Sequence, residues 1–120
     1  MHIIFGKDQA ELMSNKYTVL ELDTFQFGQN GPVATAYCTV ETIPIAELAN
    51  LPSTAAQHEH LIINYRLRNW ADCQTGIAQL MGKWRGELDS FYTALNVRIS
   101  EYIDNPPPPD WSHIILKTAS

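Results

Sequence analysis

The chain has 120 residues, of which 45% are apolar and 18% charged, and a formal net charge of −5. That composition excludes a charged, apolar-poor disordered chain, and the length suffices to bury a core without disulfide or metal staples. The eight Lys and Arg are scattered, so no basic stripe exists to neutralise a phosphate backbone, and nucleic acid is not an expected partner. In chain order, "HIIF" at residues 2–5 reads as a short strand stopped by Gly6, and "KDQAELMSN" as a brief helix ending at Asn15. "YTVLELDTFQF", residues 17–27, is rich in β-formers and changes phase near its middle, which predicts a strand with an irregularity. "GQNGP" carries an Asn-Gly turn signal and closes a hairpin onto residues 33–43. There Val33, Thr35, Tyr37 and Thr39 share one face and Ala34, Ala36, Cys38 and Val40 the other, until Pro44 ends the pairing.

From residue 45 the period changes. Pro52 and Ser53 offer a helix start, and Leu61, Ile62 and Tyr65 follow at spacings of three and four. Asn69 is placed to cap a second helix with Asp72 in its first turn and a buried stripe of Trp70, Cys73, Ile77, Leu80, Met81 and Trp84. Gly82 and Gly86 interrupt it. A third stripe runs through Leu88, Phe91, Tyr92, Leu95, Ile99, Tyr102 and Ile103 until Pro106 to Pro109 stop it. The expected fold class is α+β, with 1–120 as one domain: a small N-terminal antiparallel β-hairpin layer with a short helix over 1–45, a three-helix antiparallel unit over 53–104, and an extended tail over 105–120. Two helices joined by a tight turn and followed by a third match one tetratricopeptide-type (TPR-like) unit. A lone unit leaves an apolar face to be covered, so the tail, the hairpin or a second subunit is required.

Four blocks of the chain resemble the C-terminal end of bacterial class III adenylate or guanylate cyclases. "IIFGKDQAELMSNKYTVLELDTFQF" is similar to their closing strand, short helix and "E-L-D-R-V-R-V" strand, and "NGPVATAYCTVE" to their last strand. "NYRLRNWADCQTGIAQL" looks like the "A-Y-R-x-x-D-W-x-x-A" helical pair appended to these enzymes, and "RISEYIDNPPPPDW" like their closing "P-P-P-x-D-W". The resemblance implies a catalytic core upstream, with two metal-binding aspartates and an Asn and Arg pair, that is absent here. At the family's phosphate-binding lysine turn Phe27 and Gln29 stand where lysines belong, and only Gly28 remains. Cyclase activity is therefore not expected.

No other catalytic constellation stands out. Glu21 and Asp23 share a strand face and read as a solvated pair. His58 and His60 are about 200° apart around a helix, a poor metal pair, since helical ligands want a spacing of four. Cys38 and Cys73 read as reduced core residues and make no disulfide framework; no apolar run approaches the roughly 18 residues of a membrane span. The expectation is a cytoplasmic, non-catalytic protein-interaction or regulatory module, without cofactor or metal, whose preferred partner is a second copy in a homodimer. Tyr65, Trp70 and Tyr92 are the expected partner-binding residues. Trp111, with Ile114 and Ile115 behind it, is expected to anchor the tail as a lid, because prolines hold an extended path of about 3.1 Å per residue. The alternatives are a small-molecule or nucleotide-binding remnant of a cyclase cleft, suggested by Gly28 and the acidic strand, and a phage or mobile-element modulator of a cellular cyclase.

Overall fold

A computed structural model describes residues 2–14, 17–40 and 49–117 of the chain. The described residues form an α+β protein of four strands and four helices: β1 (His2–Phe5), α1 (Lys7–Met13), β2 (Thr18–Phe27), β3 (Val33–Val40), α2 (Leu51–Arg66), α3 (Trp70–Leu80), α4 (Asp89–Asp104) and β4 (Ile115–Lys117). The expected pairing of residues 41–43, the stop at Pro44 and the helix ending at Asn15 fall outside the described residues. The chain divides into two compact units, Met1–Glu41 with Ser112–Ser120 and Thr42–Trp111.

The first unit is a sheet with strand order β1-β3-β2-β4. β1 and β2 both pair antiparallel with β3, whereas β4 runs parallel to the end of β2, with Phe25 opposite Ile115 and Phe27 opposite Lys117. The layer is thus wider than a hairpin, and the last stretch of the tail is a strand. Three residues are too few to show an alternation in sequence. Gly6 turns the chain from β1 into α1 at φ 93°, a conformation open to glycine at no steric cost.

The phase change in residues 17–27 is a β-bulge. Glu21 pairs with Tyr37 and Thr24 with Thr35, so two residues of β2 face one of β3. Before the bulge Leu20 shares a face with Cys38; after it Phe25 shares that face, opposite Ala34. β1 brings Ile3 opposite Cys38 and Phe5 opposite Ala36. The register therefore gathers Phe5, Phe25 and Phe27 on one face, where their ring centroids lie 5.8–6.3 Å apart. Without the extra residue Phe25 and Phe27 would point to the other side.

In the second unit the buried residues of α2 are His58, Leu61, Ile62 and Tyr65, those of α3 Cys73, Ile77 and Leu80, and those of α4 Tyr92, Leu95 and Ile99. α3 lies against both α2 and α4. Trp84 and Leu88, in the connection after α3, are also buried. Two members of the expected stripes are instead exposed. Met81 lies past the last turn of α3, where the backbone leaves the helix at ψ 128° and turns its side chain outward; Ile103 sits in the last turn of α4, beyond Ile99 and Tyr102.

Candidate functional site

The end of α2 is a Schellman motif, in which the Arg68 amide donates to the Tyr65 carbonyl and the Asn69 amide to the Asn64 carbonyl. The motif needs a left-handed residue at the position of Arg68, usually glycine, and Arg68 adopts φ 65°. An arginine there costs about 1 kcal/mol relative to glycine, and its side chain makes specific contacts in return. The guanidinium Nη2 donates to the carbonyls of Pro107 and of Pro108, the latter at 2.8 Å, and Cζ lies 5.5 Å from the centre of the Trp111 ring. The tail turns on itself just there, with the Trp111 amide donating to the Pro108 carbonyl at 2.9 Å.

Trp111 completes a group of four aromatic rings. Its centroid is 5.6 Å from Tyr65, 5.6 Å from Trp70 and 5.5 Å from Tyr102, all edge-on, and Trp70 lies 5.2 Å from Tyr102. Tyr65 meets Trp70 at 5.8 Å, and Arg98 donates to the Tyr65 hydroxyl at 3.3 Å while lying near its ring. Edge-to-face pairs contribute roughly 0.5–1.5 kcal/mol each beyond area burial. The three helices supply one wall residue or more apiece, at the end of α2, the start of α3 and the end of α4. Trp70, Tyr102 and Trp111 keep part of their surface in solvent, whereas Tyr65 is 4% exposed.

The structure brings Tyr65 and Trp70 together with Trp111 and separates Tyr92 from them. Tyr92 is fully buried, and its hydroxyl accepts from Trp84 Nε1 at 2.9 Å and lies 2.9 Å from His58 Nδ1. An indole nitrogen only donates. A tyrosine held inside by two side chains presents no surface to a partner. Ile115 pairs with Phe25 on β2, and Ile114 just before it is half-buried. Arg68 and Arg98 meet the aromatic group but escape a reading by stripes alone, whereas Tyr102 lay on the expected third stripe without being an expected partner-binding residue; Arg68 carried a signal, since it follows a helix end and precedes Asn69, whose side chain donates to Asn64 Oδ1 and makes no cap bond. His58 likewise continues the stripe of Leu61, Ile62 and Tyr65 backward by three residues.

Elsewhere, the Gly28–Pro32 turn is closed on itself. Phe27 N–H donates to the Pro32 carbonyl, Gly31 N–H to that of Gly28, and Gln26 Nε2 to the carbonyls of Gly28 and Gln29. His60 is exposed while His58 is buried, and among the described residues no group of three or more His, Cys, Asp or Glu is arranged to hold a metal ion. Cys38 and Cys73 are buried free thiols. Burial first, and then the Asp72 carboxylate, push the Cys73 thiol up to about 11. No helix among the described residues is long and apolar enough to cross a membrane. No protein-family model, curated protein or solved structure matches the chain.

Proposed function

We propose that the chain is a non-catalytic protein-interaction module that associates with a second copy of itself through the sheet unit. The observation that carries this reading is the aromatic face of the sheet: Ile3 and Phe5 are each 48% exposed and Phe27 41%, although the three phenylalanine rings touch one another. β1 is the end strand of the sheet order, and "HIIF" has no lysine, proline or bulge of the kind that protects an edge. Antiparallel pairing of two β1 strands about a two-fold axis would merge the two aromatic faces and satisfy both edges.

The helical unit is read as TPR-like, supported by α2 and α3 joined through residues 67–69 and by α4 following on α3. The likeness to a cyclase terminus enters as a proposal of ancestry, supported by the order of strand, short helix, two strands, helices and proline tail. Sedimentation velocity of the wild-type chain against Phe5→Ser/Phe27→Ser tests the reading. Wild type is expected to shift toward dimer with rising concentration and the variant to remain monomeric; a wild-type chain that stays monomeric throughout overturns it.

A further inference from the structure

The tail from Asn105 to Leu116 contains no buried residue. What holds its proline part is a set of contacts of the kind one protein makes with an extended peptide. Prolines offer carbonyls and no N–H, so a donor can read them, and the Pro108 carbonyl takes both Arg68 and the Trp111 amide. Arg68 reads two in succession, at Pro107 and Pro108, and Trp111 then enters the aromatic group of Tyr65, Trp70 and Tyr102. The receptor side is prepared for this. Tyr65 is held by Arg98, and Arg68 occupies a left-handed position at a helix end, where glycine is usual.

We propose that the site formed by Tyr65, Arg68, Trp70 and Tyr102 is a receptor for a proline-rich segment ending in Asp-Trp on another protein, and that residues 106–111 are a ligand in cis that masks it. The proposal goes beyond pairing through the sheet and stands on different residues. A tethered segment competes at an effective concentration in the millimolar range. The segment in place sets the chemistry of the partner: two successive proline carbonyls for Arg68 and a tryptophan for the aromatic group, borne on another polypeptide.

The test uses the full chain carrying Trp111→Ala and a synthetic peptide of the sequence of residues 105–113, NPPPPDWSH, in calorimetric titration. The peptide is expected to bind this variant at least tenfold more tightly than wild type. Adding Arg68→Ala, or replacing the tryptophan of the peptide by alanine, should each weaken it at least tenfold. Equal binding to wild type and Trp111→Ala, or indifference to the peptide's tryptophan, overturns the proposal. Should Trp111→Ala fail to fold, hydrogen exchange on the wild-type chain gives the answer: several millimolar peptide should lower protection of the Trp111 amide while leaving α2 and α4 unchanged, and unchanged Trp111 protection counts against it. Repeating the titration in the Phe5→Ser/Phe27→Ser background separates the two readings, since the peptide site should survive loss of self-association.

Discussion

Tyr92 shows how much one hydroxyl can organise. It receives the Trp84 indole N–H and faces His58 Nδ1, so removing it takes one hydrogen-bond partner from each of two buried side chains, at about 1–3 kcal/mol apiece. Tyr92→Phe is expected to lower unfolding free energy by roughly 2–4 kcal/mol in urea titration, with an unchanged denaturant slope. A loss below about 1 kcal/mol would mean that the two groups find other partners. Cys73 gives a pH dependence at the same scale. Its thiol stands at about 11 in the folded chain against a usual 9.0, so between these values the unfolded chain releases a proton that the folded chain keeps. Stability from this group is intact below pH 9 and falls as pH rises toward 11, by up to about 1.4 kcal/mol per unit. Cys73→Ala should show a flatter decline over that window in paired urea titrations.

Among the elements, the β2–β3 connection has the least freedom. A Cβ on Gly31 would stand 1.5 Å from the Phe27 carbonyl oxygen, a backbone atom that cannot step aside without opening the turn. Gly31→Ala should therefore cost more than about 2 kcal/mol and broaden the amide NMR signals of Phe27 and Val33, while an alanine accommodated without loss would show the turn to be softer than its hydrogen bonds suggest. Most elements were legible in sequence because their signals are local: alternation in β3, the phase change that became the bulge, prolines ending α4. β4 was not, because three residues acquire a strand conformation only from the edge of β2. Met81 and Ile103 fell outside their stripes for a related reason, since periodicity runs on past the point where the backbone or the neighbouring helix ends.

For the molecule as a whole, the two proposals call on different units, self-association on the sheet and peptide binding on the helices. Self-association through the aromatic face predicts that the apparent melting temperature of the wild-type chain rises with protein concentration, as binding to the native state alone requires. The Phe5→Ser/Phe27→Ser variant should show one value at every concentration. Calorimetric scans over a hundredfold range of concentration make the comparison, and a concentration-independent wild type would reject the dimer. The peptide receptor of the helical unit obeys a different control, since its own tail sets the threshold that any partner has to exceed.

By itself the sequence determined an α+β chain, the order of its elements before β4, the irregularity in β2, and a proline-borne tryptophan able to dock. These follow from backbone preferences and apolar spacing, which act over a few residues. Only the tertiary structure decided that Tyr65 and Trp70 meet Trp111 while Tyr92 turns inward, because α4 sets Tyr92 against His58 from α2 and Trp84 beyond α3. It also decided that Phe5 joins Phe25 and Phe27, a meeting fixed by strand order and one inserted residue. Residues far apart in the chain become neighbours through register and helix packing, and no local pattern encodes which of two aromatic side chains will face the core.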